Sequence, residues 1–195
     1  ILSVNVLNNA GVGVANASVH ITNTSVTPNI NVTAATDTNG NLMFPGAPAS
    51  VQGYHITVSK GGYFGNMTYD PYPTSVFRPT NVHASVVAGS LTAATLVADR
   101  TSTLKIQTED PFGASVPGID FTITGGLVSG TDAATSAPVY DFTQTTATDS
   151  SGEKEFSNRS SGGYVLTLDP SAVAQYEFLR LDPEETVQNS INLIA

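Results

Sequence analysis

Three histidines, a few paired carboxylates and one run of aromatic rings are the residues here that could do chemistry. His20 and His55 each fall on the polar side of an alternating stretch and could offer two imidazoles to a metal; His83 stands apart. Catalytic zinc takes three protein ligands, and no third is specified, so the histidines read as surface residues and no metal is expected. Glu153 and Glu155 share one strand face beside Asp149, and Asp182, Glu184 and Glu185 form a second acidic group. Hard cations such as calcium need several oxygens at set spacing. These acids lack that spacing and read as a solvated acidic face. No G-x-S-x-G elbow, P-loop or helix-starting G-x-G-x-x-G occurs. The expectation is therefore no catalytic residue, no cofactor and no enzyme.

The aromatic run is the candidate ligand or partner surface. Tyr63, Phe64, Tyr69, Tyr72 and Phe77 crowd Gly62 to Phe77, with Pro71 and Pro73 opposing regular structure. Tyrosine on a loop offers rigid, amphipathic contact area to a protein or a polysaccharide. The competing reading is that these rings cover one end of a sandwich or fill a junction.

The elements that must position these groups are strands. Leu2, Val4 and Val6 alternate with Ser3 and Asn5; Tyr54, Ile56 and Val58 alternate with His55 and Thr57; Ile119, Phe121 and Ile123 alternate with Asp120 and Thr122. Period-two alternation marks half-buried strands. Asp37-Thr38-Asn39-Gly40 and Asp149-Ser150-Ser151-Gly152 put Asp first and Gly fourth, a tight-turn signature. Pro170 to Tyr176 reads as one short helical turn. Gly125 to Thr143 reads as a long loop with a short strand near Val139 to Phe142.

The chain of 195 residues also repeats itself. The stretch opening at Leu2 returns at Leu104, offset by 102 residues, and ATDTNGNLMF at Ala35 returns as ATDSSGEKEF at Ala147. Two tandem modules follow, residues 1–100 and 101–195, meeting near Asp99 to Ser102. The first balances Asp37, Asp70 and Asp99 against Lys60, Arg78 and Arg100; the second holds the whole net charge of −9. Acidic protein repels phosphate, so nucleic acid is not an expected partner. The chain has no cysteine, hence no disulfide and no thiolate zinc site. No apolar run approaches the ~20 residues that span a bilayer, so this segment is not expected to contact membrane. It opens and closes within strand patterns, as an excised or processed segment would.

Strand, glycine turn, strand, then Thr36-Asp37 with Gly40, Gly53-Tyr54 and Lys60-Gly61-Gly62-Tyr63 resembles the carboxypeptidase regulatory-like domain. The second module keeps Gly113, Thr148-Asp149 with Gly152, and Gly163-Tyr164. It is similar, as a diverged relative, to collagen-adhesin B-type repeats. The resemblance implies two tandem all-β Greek-key sandwiches, transthyretin-like or Ig-like. It also implies a non-enzymatic structural or adhesive role in an extracellular, bacterial cell-surface protein, including the globular part of a pilin-like filament. Partners would be a protein or polysaccharide at the surface, with self-assembly through edge strands open. The alternative is a carbohydrate-binding or accessory pair in a secreted enzyme. Adhesin relatives often carry a Lys–Asn isopeptide crosslink promoted by a buried acid. Here the lysine position falls on Thr108 and the acid position on Leu168, while Lys105 lies three residues off, on the other face. No such bond is expected.

Overall fold

Leu2, Val4 and Val6 are fully buried, as are Tyr54 and Ile56, with Val58 nearly so, while His55 and Thr57 between them are exposed. This alternation sets the inward face of an all-β sandwich, seen in a computed structural model that describes residues 1–175, 182–183 and 190–194. Two compact units emerge: Ile1–Arg100 together with Val128–Val139, and Thr101–Leu127 together with Tyr140–Ala195.

The first unit holds β1 (Leu2–Leu7), β2 (Ser18–Asn23), β3 (Ile30–Ala35), β4 (Asn41–Phe44), β5 (Ser50–Ser59) and β6 (Tyr63–Phe64). It continues with β7 (Asn66–Met67), β8 (Phe77–Pro79), β9 (Ala84–Val86), β10 (Thr92–Val97) and β11 (Asp99–Arg100). One sheet runs β10-β1-β4, with β1 parallel to β10 and antiparallel to β4. The other runs β3-β2-β5-β7, and β9 joins β5. Leu2, Val4, Val6, Val19, Ile21, Tyr54, Ile56, Val58 and Leu96 meet in its core. The stretch expected to link the modules is partly a strand: β11 pairs with β6, Asp99 opposite Phe64 and Arg100 opposite Tyr63.

The second unit holds β12 (Ser102–Gln107), most of β13 (Asp120–Asp132) and β14 (Pro138–Ala147), β15 (Glu153–Arg159), β16 (Tyr164–Leu168), the helical turn α1 (Pro170–Gln175), β17 (Asp182–Pro183) and β18 (Ser190–Ile194). Its sheets run β15-β12-β18-β17 and β14-β13-β16. Leu104, Ile106, Phe121, Ile123 and Phe156 form its core cluster, flanked by Phe142 and Tyr164 in edge-on ring contacts. The helical turn falls where it is expected, up to Gln175; Tyr176 lies outside the described residues, as do Glu184 and Glu185.

The loop expectation is overturned. Gly125 to Thr143 is no long loop but the body of the β13–β14 hairpin, closed by residues 133–137. Asp132 caps that turn, accepting the Ala134 and Thr135 amides and the Thr135 hydroxyl, and these bonds hold its carboxyl below the usual range. The glycines that looked like breakers serve close approach instead. A side chain at Gly125 would strike the Tyr164 backbone, and one at Gly130 would strike the Phe77 ring.

The buried Thr108 and the half-buried Leu168 occupy the two positions where the crosslink pattern would put lysine and acid. Lys105 points the other way, into an ion pair with Glu153 at the surface.

Candidate functional site

The aromatic run leaves β5, crosses β6 and β7, makes a turn at its tip and ends in β8. Its rings separate into two groups. Tyr63 packs on the core of the first unit, with the Lys60 ammonium 4.6 Å above its ring and that same ammonium donating to the Ala15 carbonyl. Phe64 is half-buried beside it in the β6–β11 ladder. Tyr69 and Phe77 are half-buried and meet edge to face, centroids 5.2 Å apart. Only Tyr72 of the five stands out, 48% exposed, with the Arg78 guanidinium 4.8 Å over its ring. Val76, absent from the candidate set, is 91% exposed on the same segment.

The tip that carries Tyr72 is held locally. The Thr74 and Ser75 amides both donate to the Pro71 carbonyl, and the Ser75 hydroxyl donates to the Phe77 carbonyl. Tyr69 is fixed on both backbone sides, its amide donating to Asn81 and its carbonyl accepting from His83. β8 in turn pairs with the hairpin tip, Phe77 opposite Asp132 and Pro79 opposite Gly130. A segment with that many backbone bonds presents its exposed side chains from a fixed frame.

Under the run lies a polar cluster. His83, expected as a surface residue, is instead buried at 4% exposure, its Nδ1 held 2.8 Å from the Thr68 hydroxyl, which itself accepts the Ile56 amide. Its Nε2 faces an Asp70 carboxylate oxygen at 3.3 Å. The His55 ring stacks on the His83 ring, centroids 3.5 Å apart and planes 11° from parallel. Burial pushes the His83 pKa down, the neighbouring His55 adds to this, and Asp70 opposes both. The stack follows from register. Tyr54 lies opposite Ala84 in the antiparallel β5–β9 pair, so one step further sets His55 opposite His83.

His20, which sequence spacing pairs with His55, has a different neighbour. It sits opposite Thr57, and its Nε2 is 2.9 Å from the Asn31 side-chain oxygen on β3. The sequence reading missed Asp70 and His83 as partners of His55. They lie across an irregular β5–β9 pairing whose register shifts between Ser50 and Tyr54, and no local pattern announces it.

Glu153, Glu155 and Asp149 of the second unit have partners of their own. Glu153 pairs with Lys105, and Glu155 accepts from the Ser157 hydroxyl. Asp149 accepts the Ser151 hydroxyl and the Ser151 and Glu153 amides; the hydroxyl leads in holding its carboxyl below the usual range. No helix of the described residues is long and apolar enough to cross a membrane.

No family model matches the chain, and no curated protein matches it. Among solved structures, it is similar to the Bacillus anthracis TIE protein at 16% identity and a TM-score of 0.38, over 87% of this chain and 28% of that one. It is similar to a Streptococcal ancillary pilin at 12% identity and a TM-score of 0.34, over 99% of this chain and 61% of that one. Against the shaft pilin SpaA from Lactobacillus rhamnosus GG the identity is 11% and the TM-score 0.28, over 99% of this chain and 95% of that one. The chain thus spans less than two thirds of the length of the first two of these proteins.

Proposed function

We propose that this chain is a non-enzymatic structural or adhesive module of an extracellular, bacterial surface protein, built as two tandem carboxypeptidase-regulatory-like sandwiches and carried in a pilin-like assembly. The observation that carries the reading is the way Tyr72 and Val76 are displayed. Both are exposed, on a tip whose backbone is pinned and whose other rings are half-buried. Exposed apolar side chains on a rigid frame lose little entropy when a partner covers them, which favours binding. Tyr72 under a guanidinium also suits stacking against a sugar ring, so a polysaccharide is a partner class beside protein.

A second surface supports assembly between copies. β3 is the outer strand of its sheet, and Ile30 to Ala35 carries no charge and no proline. Natural edge strands are usually blunted by such residues, and an unblunted one is free to pair with another strand.

The test is binding of the full chain to arrayed matrix proteins and polysaccharides, comparing wild type with Tyr72→Ala plus Val76→Ser. The expected result is one binding class that weakens at least tenfold in the double variant. Equal binding by both proteins would remove the loop as the contact surface. Light scattering across concentration, with Val32→Lys in β3 as the comparison, reads self-assembly separately.

A further inference from the structure

We propose that His55, Asp70 and His83 form a binding site for one divalent transition-metal ion of zinc type, on the first unit at the base of the aromatic run. Donor atoms from all three residues lie within 4.8 Å of one another. Two imidazoles and a carboxylate are a donor set that zinc accepts, with a fourth position left for water or for a group on a partner.

The spacing of the His83–Asp70 pair supports this. A charge-assisted N–H···O bond closes to about 2.7–2.9 Å, whereas His83 Nε2 and Asp70 Oδ1 stand 3.3 Å apart. Metal–ligand bonds of about 2.0–2.1 Å arranged tetrahedrally place neighbouring donors about 3.3–3.4 Å from each other. The pair is therefore already at the separation of two ligands on one ion.

The hydrogen bonding behind His83 is also that of a ligand. A metal-binding histidine hands its other ring N–H to an oxygen that fixes the tautomer. Here Thr68 Oγ1 accepts the Ile56 amide and stands 2.8 Å from His83 Nδ1, where it accepts Nδ1–H in one tautomer and donates to a bare Nδ1 in the other. The first tautomer leaves Nε2 bare for a metal ion; in the second, Nε2–H faces Asp70 and the ion would displace that proton. Burial of His83 and its bond to a strand-anchored threonine hold this part of the site rigid.

His55 supplies the third donor. Its side chain is exposed on β5, and the stack on His83 keeps a ring nitrogen within 4.8 Å of the other two donors. His20, bonded to Asn31 on the neighbouring strand, is outside the donor set and serves as the control.

Calorimetric titration of Zn²⁺ alone into the full chain tests the site, with Co²⁺ absorption as an independent report on geometry. The expected result is one zinc per chain. His55→Ala and Asp70→Asn, both at exposed positions, should each weaken binding about tenfold or more, while His20→Ala leaves it unchanged. Co²⁺ should give the intense visible band of a four-coordinate site in wild type and lose it in His55→Ala. Zinc should raise the melting temperature of wild type and His20→Ala but not of His55→Ala. No binding at millimolar zinc, or equal binding in wild type, His55→Ala and Asp70→Asn, would overturn the proposal. So would a loss in His20→Ala as large as that in His55→Ala.

Discussion

Val6 in the first unit and Thr108 in the second occupy the same place in the same hydrogen-bond scheme. The Val6 amide donates to Gly40 and its carbonyl accepts from Val14; the Thr108 amide donates to Gly152 and its carbonyl accepts from Val116. Around them, Thr36 matches Thr148: their hydroxyls accept from the Ala17 and Ile119 amides, and their carbonyls from Asn16 and Gly118. The difference lies in who satisfies the next carbonyl. In the first unit the Thr36 hydroxyl also donates to the Val14 carbonyl, so one side chain closes the node. In the second, Thr108 donates to the Val116 carbonyl and stands 3.3 Å from the Thr148 hydroxyl, so two hydroxyls share the work of one. The first unit meets a buried polar demand with the minimum number of groups. The second carries a surplus hydroxyl inside, where a valine would fit.

The same contrast appears at the tyrosines, where the largest effect is expected. Tyr54 is fully buried and its hydroxyl donates to the Pro48 carbonyl, 2.6 Å away. Tyr164 makes the matching bond to the Ser160 carbonyl at 2.7 Å but is only half-buried. Removing a large buried ring costs about 3–5 kcal/mol. Tyr54→Ala should reach that range, with Tyr164→Ala falling short of it. Denaturant unfolding combined with hydrogen exchange in each unit checks this. An equal loss in both would mean that burial does not distinguish the two tyrosines energetically.

Next come the node threonines. Thr36→Val strips the Ala17 amide of its acceptor and the Val14 carbonyl of its donor, both in the interior. Leaving buried polar groups unpaired costs about 1–3 kcal/mol, and Thr36→Val should sit in the upper part of that range. Thr148→Val orphans only the Ile119 amide, because Thr108 still serves Val116, and should sit at the lower end. Amide exchange at Ala17 and Ile119 in the two variants reads the difference directly.

Much of this frame is legible in the sequence. The alternation at Leu2, Val4 and Val6, and at Tyr54, Ile56 and Val58, is enough to assign inward faces, because a strand's side chains alternate by geometry. Asp37 and Asp149 mark their turns, and each accepts backbone amides two and four residues on. The β13–β14 hairpin is not legible, since glycine in a strand looks the same whether it breaks the strand or admits a neighbour's backbone. The His55–His83 stack is illegible for another reason. It depends on which strands pair and in what register, information that lies in the sandwich as a whole and not in either segment. Of the five candidate rings, composition could not separate Tyr72 from the four that are half-buried.

A smaller, pH-dependent effect is expected at Asp141 on β14. Both its carboxylate oxygens are buried without a hydrogen bond at bonding geometry. Burial lifts its pKa, against the lowering effect of the nearby Ser160 hydroxyl and, more weakly, Arg159. A carboxyl whose pKa is raised by folding makes the folded state bind its proton more tightly than the unfolded chain does. Its charged form therefore costs stability at neutral pH, and the cost disappears as pH falls through the raised value toward about 3.9, the unfolded value. Asp141→Asn removes the charge, so it should stabilise the second unit at pH 7. The gain should vanish near pH 4. Melting curves of the two proteins across that range should converge on the acid side; parallel curves would remove the titration from the account.

The smallest effect returns to the node. Thr108→Val keeps the shape of the side chain and deletes the surplus hydroxyl. The Val116 carbonyl then needs a donor, and Thr148 can supply it just as Thr36 does for Val14 at 2.7 Å. Replacing a buried hydroxyl whose partner is otherwise satisfied is close to neutral, so the change should lie within about 0.5 kcal/mol of wild type. The coupling gives the sharper reading. In the Thr108→Val background, Thr148 carries both bonds alone, so Thr148→Val should cost more there than in wild type and approach the cost of Thr36→Val in the first unit. A double-mutant cycle measures this as a non-zero interaction between the two positions. Strict additivity would mean that the two hydroxyls never share the carbonyl, and the node of the second unit would have to be read as two independent bonds.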